Sequence, residues 1–148
     1  MKIAIGADHG GFQAKEALIS YLQSKGFDVK DLGTNSEASV DYPDFAQKVC
    51  QEILNAQADL GVLICGTGIG ISIAANRFKG IRAALLYSDD VARLAKLHNN
   101  ANIAVFGGRT MSVQEMKQRL DIFLNTEFEG GRHIRRLEKL DVVGECFR

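Results

Sequence analysis

The sequence predicts an α/β fold in which a five-stranded parallel sheet is covered by helices on both faces. Three observations carry that prediction. Short apolar, β-branched runs alternate with longer segments of helical period along the chain. One run, Leu-Gly-Val-Leu-Ile at 60–64, is continuously apolar, as a strand buried on both faces must be. Strand–helix–strand units joined this way take right-handed crossovers, which make the sheet parallel and place helices on both sides.

The first run, 2–7, reads as a strand, and 12–24 as a helix with Ala14, Ala17, Leu18, Tyr21 and Leu22 at helical spacing and Lys25-Gly26 as its stop. Residues 27–32 form a second strand closed by Gly33, and 34–41 a polar turn. Tyr42-Pro43 opens the next helix, where a proline in the first turn gives up an N–H that would be unpaired anyway. Its apolar face holds Phe45, Ala46, Val49, Cys50, Ile53 and Leu54. After the strand at 60–64 come a short helix over 71–78, a strand over 81–87, a helix over 89–97 and a strand over 102–106. Residues 112–125 make an amphipathic helix with Val113, Met116, Leu120, Phe123 and Leu124 inward, and 132–142 a last helix rich in charge. No repeat, low-complexity stretch or linker interrupts the chain, so one domain is expected over 1–148.

Composition narrows the function. The 148 residues suffice for a hydrophobic core without disulfides or a structural metal. Apolar residues at 46% and charged residues at 24% are ordinary for a soluble domain. Lys plus Arg equals Asp plus Glu at 18 each, so no overall field favours nucleic acid or an anionic membrane. No apolar run approaches the roughly 18 residues needed to span a bilayer, and the N-terminus lacks a signal-peptide pattern. Cys50, Cys65 and Cys146 are odd in number and widely spaced, which argues against a disulfide framework and for the cytoplasm. No His or Cys pair has metal-ligand spacing, so no metal is expected.

In parallel α/β folds a ligand sits beyond the carboxyl ends of the strands. Those ends carry Asp8, His9, Gly10 and Gly11, then Cys65 to Ile71, Ser88 and Asp89, and finally Gly107, Gly108 and Arg109. The Cys65-Gly66-Thr67-Gly68-Ile69-Gly70 turn is the sharpest feature. Its glycines let backbone N–H groups approach an anion, and the following helix start adds partial positive charge. The same surroundings favour the thiolate of a nearby cysteine. Ile71 stands where a dinucleotide fingerprint needs glycine and where a cysteine phosphatase needs arginine, and the Gly-Lys-Ser/Thr ending of a P-loop is missing. What remains is a cysteine beside an oxyanion-binding turn, suited to an enolate or enediolate. A lone cysteine at a strand end is more often a small buried apolar residue, and Cys50 and Cys146 read that way.

Arg132, His133 and Arg136 follow Gly130-Gly131, with the arginines four apart on one helix face. They make a candidate phosphate clamp, although a charged terminal helix is by itself more readily a solvated one. Asp8-His9 and His98-Asn99 each fit sugar-hydroxyl binding or proton transfer as well as a structural role.

Together these residues resemble the ribose-5-phosphate isomerase B family, within a wider group that includes galactose-6-phosphate isomerase subunits. The resemblance runs nearly the whole chain. It rests on A-D-H at 7–9, D-Y-P at 41–43, C-G-T-G-I-G-I-S-I-A-A-N at 65–76, G-I-R-A at 80–83, H-N-N-A-N at 98–102 and E-G-G-R-H at 129–133. It implies a Rossmann-like three-layer α/β/α sandwich and an aldose–ketose isomerisation through a cis-enediolate, without cofactor or metal. One branch of the family uses the cysteine of this motif as base. Another carries serine there and a glutamate further along the loop, where this chain has Ile71. The resemblance thus implies Cys65 as base, and backbone N–H groups from Gly66 through Gly68 to Gly70 on the enediolate. It implies Thr67 and His98 in ring opening, and Asp8 and Asn99 on sugar hydroxyls. His9, Arg132 and Arg136 would hold phosphate, with His133 and Arg109 nearby and Tyr42 lining the site. It also implies a homodimer or tetramer with shared active sites, in which the helix at about 132–142 serves the partner. The expected substrate is ribose 5-phosphate; a six-carbon sugar 6-phosphate such as allose or galactose 6-phosphate, or a non-catalytic phosphosugar-binding subunit, are the alternatives.

Overall fold

The computed structural model describes residues 1–143; Cys146 lies outside them. Five parallel strands form one sheet in the order β2-β1-β3-β5-β4: β1 Lys2–Ala7, β2 Asp28–Asp31, β3 Leu60–Cys65, β4 Ala83–Leu85 and β5 Ile103–Gly107. The helices are α1 Phe12–Ser24, α2 Tyr42–Leu54, α3 Ile69–Ala75, α4 Asp89–Leu97, α5 Val113–Leu124 and α6 Arg132–Leu140. The chain leaves β1 for the edge strand β2 and returns past β1 to β3. That reversal opens a crevice at the carboxyl ends of β1 and β3.

Strand alternation divides the core between the two faces. Ile3, Ile5, Leu60, Val62, Ile64, Ala104 and Phe106 point to the face covered by Leu18 and Leu22 of α1, Ala92 of α4 and Met116, Leu120 and Phe123 of α5. Ala4, Leu63, Cys65, Ile103 and Val105 point to the other, against Ala46, Val49 and Cys50 of α2 and Ile71 and Ala75 of α3. Each large side chain buried this way contributes about 1.5–3 kcal/mol. The side chain of Cys65 therefore belongs to the α2–α3 face. Together the two helical layers and the sheet make a Rossmann-like α/β/α sandwich.

Several boundaries differ from the sequence expectation, each for a local reason. The helix expected over 71–78 begins at Ile69, because Gly68, at φ 82°, completes the turn and lets Ile69 and Gly70 enter the helix. It ends before Asn76, whose side chain leaves for β4. There the Asn76 amide donates to the Ala83 carbonyl at 2.9 Å and accepts from the Ala83 N–H at 2.8 Å. The Asn102 amide likewise bonds the Arg82 N–H at 2.8 Å and the Gly80 carbonyl at 2.9 Å. These amides occupy backbone groups that the expected strand over 81–87 would have used, and β4 is three residues long. The strand expected over 27–32 is Asp28–Asp31, and the last helix ends at Leu140.

Candidate active site

The site is assembled from the ends of β1, β3 and β5. Cys65 is the last residue of β3 and is buried at 5% exposure. Its carbonyl accepts the Gly108 N–H at 2.8 Å, and the Gly66 carbonyl accepts the Arg109 N–H at 2.9 Å. These two bonds clamp the turn to the chain leaving β5. Within the turn, the Gly68 N–H donates to Cys65 Sγ at 3.2 Å and the Ile69 N–H donates to Thr67 Oγ1 at 3.2 Å. The sulfur thus faces a backbone donor rather than a purely apolar wall.

Glycines allow this packing where side chains would not. A Cβ on Gly10 would lie 2.9 Å from the Gly66 nitrogen, and one on Gly108 would lie 2.3 Å from the Gly10 carbonyl oxygen. Backbone from three strand ends therefore meets in one layer. Over it lie two side chains. A Cβ on Gly66 would sit 3.2 Å from Arg109 Nη1, and a Cβ on Gly70 would sit 2.7 Å from Tyr42 Cζ, which places the guanidinium and the phenol ring above the turn. Asp8 is buried, and its carboxylate accepts the Gly10 N–H at 2.9 Å. His9 Nδ1 accepts the Val40 N–H at 3.2 Å, so the proton of a neutral His9 resides on Nε2.

A second polar group forms where α4 ends and α6 begins. The Glu129 N–H donates to the Leu97 carbonyl at 3.0 Å, and Gly130 and Gly131, at φ 74° and 59°, turn the chain into α6. Only glycine adopts two such residues in succession readily. This turn sets Glu129 Oε2 3.7 Å from His98 Nε2 and 3.6 Å from His133 Nε2. The two imidazoles stack, with centroids 4.4 Å apart and planes 18° apart. Among the residues of α6 only His133 is buried, and its Nε2 has no hydrogen-bond partner. Burial holds the His133 imidazole below its ordinary range; Arg132, His98 and Arg136 add to the effect and Glu129 opposes it. Beside this group is a recess of about 300 Å³ lined by His98, Asn99, His133, Arg136, Leu137 and Leu140.

The fold thus brings Asp8, His9, Tyr42, Cys65, Gly66, Thr67, Gly68, Gly70 and Arg109 to one place. It brings His98, Asn99, His133 and Arg136 to another, with Arg132 exposed at the start of α6. Among the described residues, no hydrogen bond, ion pair or ring contact joins the two groups. A cavity of about 750 Å³ lies between the 76–84 loop and Leu140, and Asn99 is the one expected site residue among the described residues of its lining. Among the described residues its lining has no cysteine or histidine, and the chemically reactive side chains gather at the Cys65 turn instead. Sequence reading assigned no role to Gly10, Gly108 or Glu129. The first two stood in plain view at strand ends, and Glu129 directly precedes the glycine pair.

The family model for Ribose/Galactose Isomerase matches residues 3–140. A ribose-5-phosphate isomerase B of Escherichia coli is 42% identical over 142 residues, covering 96% of this chain and 95% of that protein. The crystal structure of a ribose 5-phosphate isomerase from Thermotoga maritima superposes with a TM-score of 0.95 at 56% identity, covering 96% of this chain and 98% of that one. The ribose-5-phosphate isomerase B of Mycoplasma genitalium, solved with bound ribulose 5-phosphate, superposes with a TM-score of 0.92 at 43% identity, covering 97% and 96%. A glycine-clamped cysteine turn, a family match over residues 3–140 and superposition on these enzymes agree: the chain belongs to the ribose/galactose isomerase family.

Proposed function

We propose that this chain interconverts ribose 5-phosphate and ribulose 5-phosphate, with Cys65 as the proton-transfer base. The observation that carries the reading is the Cys65 sulfur at the carboxyl end of β3, 3.2 Å from a backbone N–H in a turn that three glycine-rich strand ends hold rigid. The family match and the bound ribulose 5-phosphate of the Mycoplasma genitalium relative supply the substrate class.

The chemistry follows from the weak acidity of a sugar C–H. The Cys65 thiolate takes the C2 proton of the open-chain aldose phosphate, and the electron pair forms the C1–C2 double bond while negative charge develops on O1. The hydroxyl proton passes from O2 to O1, the thiol returns its proton to C1, and the ketose carbonyl remains at C2. No net proton is consumed. Charge stabilisation at oxygen matters more than base strength, and N–H groups from Gly66 to Gly70 supply it without reorganisation. Thr67 and His98 assist ring opening; Asp8 and Asn99 bind sugar hydroxyls; Tyr42 lines the site. His9, Arg132 and Arg136 hold the phosphate, with Arg109 and His133 beside them, and binding energy from that remote dianion positions the reacting carbons.

In this reading His98, Asn99, Arg132, His133 and Arg136 of one copy complete the Cys65 turn of another, so the working unit is at least a homodimer. The separation of the two groups within one chain supports it. So does the exposure of Ile69 and Ile73 beside the turn and of Ile134 on α6, at 54%, 57% and 48%. The compartment proposed is the cytoplasm, which keeps a thiol base reduced; Cys50 and Cys65 are both free. A panel of five- and six-carbon sugar phosphates tests the substrate. Turnover of ribose 5-phosphate is expected, and conversion of only a six-carbon phosphosugar would overturn it.

A further inference from the structure

We propose that His98, Glu129 and His133 form a binding site for Zn2+ that does not draw on the Cys65 thiol. Their ligand atoms all lie within 4.8 Å of one another, although the residues come from the end of α4, the turn before α6 and α6 itself. Linear spacing concealed the set, and the backbone bond from Glu129 to Leu97 joins the acid's turn to the end of α4 beside His98. Two imidazoles and one carboxylate are a recognised zinc ligand set, and they leave a fourth position for water or an anion. The 300 Å³ recess beside the histidines offers that position. His133 Nε2 is the strongest pointer: it is buried, lacks a hydrogen-bond partner, and faces Glu129 at 3.6 Å. An orphaned buried nitrogen carries a desolvation cost that a metal–ligand bond would remove.

The stacked rings cannot both aim a lone pair at one ion, so one must turn. His98, with 35% of its side chain exposed, has the freedom to do so, while His133 is fixed by its burial. The choice of ion follows from the neighbours. Arg132 and Arg136 flank His133 and disfavour a hard dication held mainly by charge, such as Mg2+. Zn2+ binds imidazole with intrinsic affinity and tolerates them better.

The site has a consequence that rests on the proposed role of His98: an ion that holds its Nε2 withholds it from ring opening, so Zn2+ inhibits the isomerase reversibly. Calorimetric titration of the full chain with Zn2+ tests the site, and turnover with Zn2+ before and after a chelator tests the consequence. One equivalent per chain is expected in the wild type and in Cys65→Ala. Glu129→Gln is expected to weaken binding by at least about tenfold while its metal-free turnover and Tm stay at the wild-type level. Undiminished binding by Glu129→Gln would overturn the site, as would loss of binding in Cys65→Ala, which would put the ion on the thiolate. Zn2+ bound in this pattern without slowing turnover would sustain the site and instead remove His98 from ring opening.

Discussion

The Cys65 turn is built from backbone, whereas the His98–Glu129–His133 group is built from side chains. In the first, glycines from three strand ends interlock so closely that a single added Cβ would collide with main-chain atoms. In the second, the chain supplies a glycine turn and a helix start, and the polar atoms sit on an exposed carboxylate, a partly exposed ring and one buried ring. The difference matches what the proposed reaction asks of each group. Charge that appears only in a transition state needs donors that do not have to move. A phosphate or a ring oxygen that arrives with substrate can be met by side chains that adjust on binding.

The comparison breaks most sharply at Cys65. Cys65→Ala is expected to lower kcat by about 10²–10⁴-fold, the usual contribution of a positioned base, with KM little changed. Steady-state turnover of ribose 5-phosphate checks this, and near-normal kcat would remove Cys65 as base. A second expectation concerns the backbone layer itself. Gly108→Ala places a Cβ 2.3 Å from the Gly10 carbonyl oxygen, and the resulting overpacking should cost about 1–3 kcal/mol in denaturant unfolding and depress kcat as well. Unchanged activity in a destabilised variant would show that the turn is less rigid than its packing implies.

The side-chain group should respond differently. Arg132→Ala and Arg136→Ala each remove a charge-assisted contact of about 1.5–3 kcal/mol, so KM should rise by roughly 10–100-fold while kcat and Tm hold. A change confined to Tm would return α6 to being a solvated helix. The smallest effect contrasts the two cysteines of the α2–α3 face. Burial pushes the Cys50 thiol up to about 12, so alkylation of the native protein near pH 8 should leave Cys50 unmodified until denaturant is added. Peptide-resolved mass spectrometry reads this at Cys50 and Cys65 separately, and Cys50 labelled in the native state would contradict its burial.

Periodicity made the sandwich legible. The strand-like run of 2–7 and the continuously apolar run of 60–64 lie buried on both faces of the sheet, and the helical spacing of 12–24 turns Ala14, Leu18 and Leu22 to the core. The short strand β4 was harder to read, because Asn76 and Asn102 cap its backbone from other parts of the chain. The Cys65 turn was legible because its donors are consecutive in sequence. Grouping His98 with Glu129 and His133 was not, since it involves a backbone bond from Glu129 to the end of α4. The family motifs named His98 and His133, but local spacing carried no sign that the two rings would stack.

The Asn76 amide has one further effect. β4 is one of the two outer strands of the sheet, and Ala83 turns both its N–H and its C=O away from β5, to the Asn76 amide. Left unpaired, such groups are a template onto which a strand of another molecule can add. By holding both, Asn76 blocks strand addition at Ala83 on this edge of the sheet. In the proposed assembly, Ile69, Ile73 and Tyr87 stand exposed for association through side chains, while the backbone of Ala83 is withheld from it.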